Sequence, residues 1–360
     1  MSPSSTKPPD APNTAAKGAA KTPAPATVRR RGSGPVIDCH THIMVQEVAD
    51  FVTQNRPPDS PECKLVQGFV RGSGAYRQRH PRPAADEVEA RLADMDEFGI
   101  DLQVISGHVA QFIYWADVDT AMAMHRVGND KLAEFVQTNP DRFVGMGMVP
   151  LQDPAAAATE LERTVSQLGF RGVQISTAVE ELEIGEEPLW PFWAKAEQLG
   201  VPVFIHPAGF SHPRFRKYLM WNGLGQPIEE ALAMSSLIYE GVLDRFPALK
   251  LCIAHGGGFL PFYAGRVDRN FENRPGETPN IGKKPSEYMR QFYYDTAVYN
   301  GDMLEFLAQK VGAERIFLGG DYPVGEDDPV DFVNGAPGLS AEEKRMILGE
   351  NAAKAFGIGA

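Results

Sequence analysis

From residue 36 to the C-terminus, short runs of apolar and β-branched residues alternate with amphipathic stretches. The runs occupy residues 36–42, 102–106, 143–149, 172–176, 201–207, 249–255, 292–296 and 316–321. Between them, apolar positions recur at helical spacing over 86–98, 117–139, 154–168, 188–198, 227–245, 304–311 and 341–356, which predicts helices there. Glycine and proline punctuate the joins (Gly99, Gly169, Gly200, Pro202, Pro247), as helix stops and strand starts require. Strands that alternate with helices predict right-handed βαβ units and a parallel sheet. Eight of them predict an α/β fold of the closed TIM-barrel type, (β/α)8, rather than an open sheet.

Residues 1–34 are rich in Pro, Ala, Ser and Thr and contain almost no large apolar side chain. Such a segment buries too little surface to offset its ordering entropy, so it reads as a disordered leader with a basic end at Arg29-Arg30-Arg31. Residues 35–360 then form a single barrel domain. Two connections are long. In the first, residues 44–85, the stretch 64–70, Arg71-Gly72-Ser73-Gly74 and Ala75-Tyr76-Arg77 read as a hairpin with a glycine turn, placed over the barrel mouth. The second, residues 208–226, follows the fifth run and holds Phe210, His212, Arg214, Phe215, Tyr218 and Trp221.

A net charge of -12 argues against a nucleic-acid or anionic-membrane surface. The three cysteines (Cys39, Cys63, Cys252) lack paired spacing; Cys39 and Cys252 lie in apolar runs and read as core residues of a reducing compartment. No apolar stretch is long enough to span a bilayer. The expectation is a cytoplasmic, soluble protein.

Candidate chemistry gathers at the ends of the runs. His40 and His42 close the first, and side chains at i and i+2 of a strand share a face. His206 closes the fifth, His255 the sixth and Asp321 the eighth; His80, His108, His125 and His212 fall elsewhere. Run ends lie at the C-terminal rim, where barrel enzymes place their active sites. Three neutral imidazoles and a carboxylate suit a borderline divalent cation, Zn²⁺ first and Mn²⁺ second. His40, His42, His206 and Asp321 are the expected ligands. His255 remains as a base that takes a proton from metal-activated water and delivers it to carbon. Two alternatives stay open: His206 as a buried histidine donating to a carbonyl, and Asp321 as a cap for the segment after Tyr322-Pro323. Asp295, closing the seventh run, either orients His255 or caps the next helix. Glu326-Asp327-Asp328 reads as a solvated loop, and Phe262, Phe292 and Phe317 as core.

Several longer motifs join these residues: Asp38-Cys39-His40-Thr41-His42, Ile113-Tyr114-Trp115-Ala116, Arg142-Phe143-Val144-Gly145 and Gly172-Val173-Gln174-Ile175. They continue with His206-Pro207, His255-Gly256-Gly257-Gly258, Pro261-Phe262, Gly265-Arg266 and Gly320-Asp321-Tyr322-Pro323. With them the chain resembles the amidohydrolase superfamily over about residues 36–358, specifically its aminocarboxymuconate-semialdehyde decarboxylase group. The resemblance implies a homodimeric, zinc-dependent, oxygen-independent decarboxylase with His255 as general base. It also implies that Arg266 reaches a substrate carboxylate in the partner subunit, and that a second arginine, Arg77 with Arg79 as runner-up, binds a carboxylate from the mouth. Paired arginines select acidic small-molecule substrates. The chain departs from the family at the mouth: Ala208-Gly209 stand where Trp is preferred, Asn222 replaces an expected aromatic beside Trp221, and Val324-Gly325 follow Asp321-Tyr322-Pro323. The substrate therefore stays open, with a hydrolase or hydratase on the same metal site as the alternative.

Overall fold

The structure, a computed structural model, describes residues 34–71, 87–208, 212–215 and 217–359. Eight strands stand side by side in chain order: β1 (Ile37–Ile43), β2 (Leu102–Gly107), β3 (Phe143–Met148), β4 (Gly172–Ile175), β5 (Pro202–Ile205), β6 (Lys250–Ile253), β7 (Tyr293–Asp295) and β8 (Ile316–Phe317). Every pairing among them is parallel. The barrel closes where β1 meets the chain leaving β8. There Cys39 N–H donates to Leu318 O (2.8 Å), His42 N–H to Tyr322 O (2.9 Å) and Tyr322 N–H to His40 O (3.1 Å). Each of the eight sequence runs holds one strand, and the fold is the (β/α)8 barrel that their rhythm predicts.

Helices cover the outside: α1 (Gln46–Asn55), α2 (Pro61–Arg71), α3 (Val88–Phe98), α4 (Val118–Thr138), α5 (Pro154–Ser166), α6 (Trp190–Leu199), α7 (Gln226–Tyr239), α8 (Val242–Arg245), α9 (Ala264–Asn273), α10 (Pro285–Met289), α11 (Gly301–Val311), α12 (Pro329–Asn334), α13 (Ala341–Arg345) and α14 (Asn351–Phe356). Side-chain caps start several of them. Asp153 accepts from the N–H groups of Ala155 and Ala156, and Asn300 from that of Asp302, filling orphan donors of the first turn. The stretch predicted as one helix over 227–245 breaks at Gly241 (φ 74°) into α7 and α8.

The barrel floor is a cluster of Ile37, Cys39, Leu102, Val104, Phe204, Cys252 and Phe317, sealed by Phe356 of α14. All three cysteines are free and buried. A register shift in β1 between Asp38 and Thr41 interrupts the two-residue alternation. Cys39 therefore packs into the floor while its neighbour His40 also meets Phe204, ring centroids 4.9 Å apart. Phe292 and Phe317 are core, but Phe262 is 39% exposed and stacks on Phe306. Among the described residues, no helix is long and apolar enough to cross a membrane.

The connection after β1 corrects the expected hairpin. Residues 64–70 lie within helix α2, which packs beside α1. The helix signals are local: Pro61 occupies its first position, Ser60 Oγ accepts from Cys63 N–H (3.2 Å), and Cys63 and Val66 lie three apart on its buried face. The glycine turn, Tyr76, Arg77 and Arg79 lie outside the described residues.

Candidate metal centre

Three strands and the segment after β8 bring five donors together just above the floor. His40 and His42 come from β1, His206 follows β5 and His255 follows β6, while Asp321 stands four residues past β8. His40 Nε2 lies 3.2 Å from His42 Nε2. The same Asp321 oxygen, Oδ1, is 3.2 Å from His40 Nε2 and 3.3 Å from His42 Nε2. Its other oxygen, Oδ2, lies 3.7 Å from His255 Nε2. One ligand atom from each of His40, His206, His255 and Asp321 falls within 4.8 Å of the others.

The second nitrogen of each ring is fixed from behind, which aims Nε2 at the centre. His40 Nδ1 pairs with Asp295 Oδ2 at 2.6 Å, and His42 Nδ1 lies 3.2 Å from Ser106 Oγ. His206 Nδ1–H donates to the Pro207 carbonyl (2.8 Å), leaving Nε2 buried with no hydrogen-bond partner. A buried imidazole lone pair without a donor is costly. A divalent cation at the centre supplies what the geometry lacks, so the residues present fit a metal.

The electrostatics agree. Burial pushes the Asp321 carboxyl up, but the neighbouring imidazoles of His40, His255 and His42 outweigh it and hold Asp321 well below the carboxylate range. For His40, burial acts downward, yet Asp321 and Asp295 together raise it to about 9. Burial and the neighbouring imidazoles push His206 well below its ordinary value. Metal ligands must be unprotonated. At pH 7 metal uptake is therefore expected to displace the His40 proton, and affinity to climb with pH until about 9. Calorimetric titration in two buffers of different ionisation heat reads this directly; identical heats would show that no proton leaves.

Asp295 needs correction: it backs His40, not His255. Its other oxygen accepts from Gly256 N–H (3.1 Å) and Ala297 N–H (3.2 Å). The carboxylate behind His255 is Glu230 of α7, fully buried and hydrogen-bonded to Nδ1. Nothing local distinguishes Glu230 from any other acid of an amphipathic helix, so the sequence pattern does not single it out. Burial raises the Glu230 carboxyl to about 7 despite the attraction of His255. In return Glu230 and Asp321 overcome burial and lift His255 well above its ordinary value.

The triple glycine makes this contact possible. His255 itself has φ 49° and Gly256, Gly257 and Gly258 have φ 63°, 78° and 59°, a run of left-handed backbone that only glycine adopts freely. A methyl group on Gly258 would collide with the Pro227 carbonyl and the Glu230 carboxylate, so the missing side chain lets α7 approach the histidine. Asp321 shares the strained geometry, at φ 53°. Such residues cost about 1–3 kcal/mol each and persist where their surroundings over-determine them.

Asp321 caps no helix; Asp328 does, accepting from Val330 N–H (3.1 Å) and Asp331 N–H (2.9 Å) at the start of α12, so this part of the acidic run is more than a solvated loop. Trp221 opens a five-residue π-helical turn, Trp221–Gly225, that runs straight into α7. Arg266 is exposed on α9, none of whose residues is buried. Arg77, Arg79 and Phe210 lie outside the described residues. His108 directly follows β2, which extends one residue beyond its predicted end, so a fifth histidine stands at the rim.

Comparison with known proteins agrees with this geometry. The amidohydrolase family profile matches residues 37–358. The 2-amino-3-carboxymuconate-6-semialdehyde decarboxylase of Dictyostelium discoideum is 34% identical over 276 residues, 76% of this chain and 77% of its own. The structure of 5-carboxyvanillate decarboxylase from Sphingomonas paucimobilis superimposes with a TM-score of 0.81 at 32% identity, covering 91% of this chain and 100% of its own. A dihydroxybenzoic acid decarboxylase from Polaromonas, solved with bound manganese and 2-nitroresorcinol, gives 0.74 at 28% identity, with 90% and 97% covered. A barrel with this donor set, matched along nearly its whole described length, belongs to the amidohydrolase superfamily, in the group of decarboxylases resembling 2-amino-3-carboxymuconate-6-semialdehyde decarboxylase.

Proposed function

We propose that the protein is a metal-dependent, oxygen-independent carboxy-lyase acting on a small unsaturated or aromatic acid. One observation carries the reading: imidazole and carboxylate donors converge at the rim while a further histidine, braced by a buried glutamate, faces them. His40, His42, His206 and Asp321 would hold the cation. Three imidazoles and one carboxylate favour Zn²⁺; manganese, found in the Polaromonas relative, is the second choice.

A cation bound there supplies Lewis acidity, drawing electron density from substrate oxygens as the carboxylate departs. The rest falls to side chains. Cleaving the carbon–carboxylate bond releases CO₂ and leaves its electron pair on carbon, so that carbon must take up one proton. His255 Nε2 is the atom placed to deliver it. Its Nδ1 is held by Glu230, which fixes the ring and favours the protonated form. A proton from solvent then restores His255, and the proton balance is met.

The acid's remaining charge needs a cationic partner. Arg266 is the candidate from a second copy of the chain: it stands exposed on α9 beside Phe262 and Tyr263, 39% and 57% exposed. An apolar surface carrying a guanidinium fits an interface between subunits, and sedimentation as a monomer at micromolar concentration would exclude that arrangement. Arg77, with Arg79 as runner-up, is the second carboxylate-binding candidate.

The experiment is CO₂ evolution from the metal-loaded protein with freshly generated 2-amino-3-carboxymuconate 6-semialdehyde, then with carboxylated hydroxybenzoates. Prompt release with either class is the expected result. No CO₂ from a fully metallated protein with both would sink the reading and turn attention to hydration or hydrolysis.

A further inference from the structure

Past each of the last three strands, one residue other than glycine holds left-handed backbone. These are His255 after β6, Tyr299 after β7 at φ 55°, and Asp321 after β8. The first and last belong to the centre already described; Tyr299 has no part in the chemistry above. Its neighbours fix its backbone. Ala297 N–H donates to the Asp295 carboxylate (3.2 Å), Val298 N–H to Thr296 O (2.7 Å), and Asn300 caps α11. Val298 also rests on the triple-glycine turn, where a methyl group on Gly256 would meet its Cγ1 at 2.5 Å. Packing of the ring does not offset the strain: Tyr299 is 53% exposed, and among the described residues its hydroxyl has no hydrogen-bond partner. Yet the phenol is crowded by protein. Desolvation, then the carboxylates of Asp321, Asp295, Glu326 and Glu230, raise it well above its ordinary value. A side chain open to solvent yet hemmed in by the groups of the centre lines a concave surface, here the barrel mouth. Backbone strain held by its surroundings, with no packing gain for the strained residue, marks a functional position.

We propose that Tyr299 is a substrate-binding residue, its hydroxyl donating a hydrogen bond to an acceptor oxygen of the acid bound at the metal centre. That the ligand is an acid rests on the carboxy-lyase reading. A phenol keeps its proton at neutral pH, so it donates to an anion without adding charge to the site. Hydrogen bonds to charged groups are the stronger kind, which makes the loss of this one measurable. The sequence pattern does not single out Tyr299, because it lies beyond the seventh run in a stretch without period.

Two substitutions separate the hydroxyl from the backbone. Tyr299→Phe keeps the ring and the strained turn and removes only the oxygen. Tyr299→Asn removes the reach of the side chain but suits left-handed backbone, which asparagine adopts more readily than an aromatic residue. Binding of 2,6-dihydroxybenzoate to the metal-loaded parent and to both variants is measured by calorimetry, with metal content and Tm recorded for each. Kd is expected to rise about tenfold in both variants, with metal content unchanged and with the Tm of Tyr299→Asn at or above that of the parent. Parent-like Kd in Tyr299→Phe, or no binding by the metal-loaded parent, overturns the proposal. A rise in Kd that comes with loss of metal overturns it too, since the effect then belongs to the centre. CO₂ release is assayed separately, so a parent that binds the probe yet releases no CO₂ discards the carboxy-lyase reading without touching this one.

Discussion

Replacing Asp321 with asparagine is expected to lower decarboxylation by roughly 10³-fold even with the metal site saturated. The substitution keeps the shape of the side chain and removes its charge. In the structure that one carboxylate serves both sides of the centre, with Oδ1 toward His40 and His42 and Oδ2 toward His255. Its loss weakens the ligand set and at the same time frees His255 from a partner that holds its proton. Initial rates of CO₂ release, taken against metal content determined on the same sample, separate the two effects. Parent-like turnover in the metal-saturated variant would remove Asp321 from the chemistry.

The second large effect is expected at His255. Changing it to asparagine should reduce CO₂ release by about 10²–10⁴-fold, the usual range for losing a positioned acid–base group, while bound metal stays near the parent level. The division of labour decides this outcome. If His255 is a ligand, as its Nε2 position near Asp321 allows, metal is lost along with activity. If it carries the proton, metal remains and only turnover falls. His42 favours the second result, because its Nε2 already sits with His40 Nε2 at Asp321 Oδ1. Loss of metal in the variant would reassign His255 to the ligand set.

Much of the architecture was legible because it is periodic. Each strand run coincides with a barrel strand, and His40, His42, His206 and Asp321 stand where a count of strands places them. What escaped depends on contacts between distant segments. Glu230 and His255 meet from different βα units, and nothing around Glu230 distinguishes it from an ordinary acid of an amphipathic helix. Asp295 looked suited to His255, but the register of β7 against β8, with Asp295 opposite Phe317, helps set where its carboxylate reaches, and that is His40. The region after β1 was misread through its glycines, although the Ser60-Pro61 start of α2 was in plain view. Mouth identity was least accessible, since loop sequence departs from the family there and side-chain pattern carries no period.

The seam of the barrel lies under the proposed metal ligands. His40 and His42 belong to the first strand, Asp321 follows the last, and two of the hydrogen bonds that close the cylinder join His40 and His42 to Tyr322, the residue after Asp321. A cation held by both sides would act as a clasp between the first strand and the segment after the last. In the unfolded protein such a link would enclose the stretch from residue 40 to residue 321, most of the chain and a very large loop in the sense used for covalent cross-links. The reactive centre and the closure of the fold would then be one device, and stripping the cation is expected to loosen the cylinder along a single line.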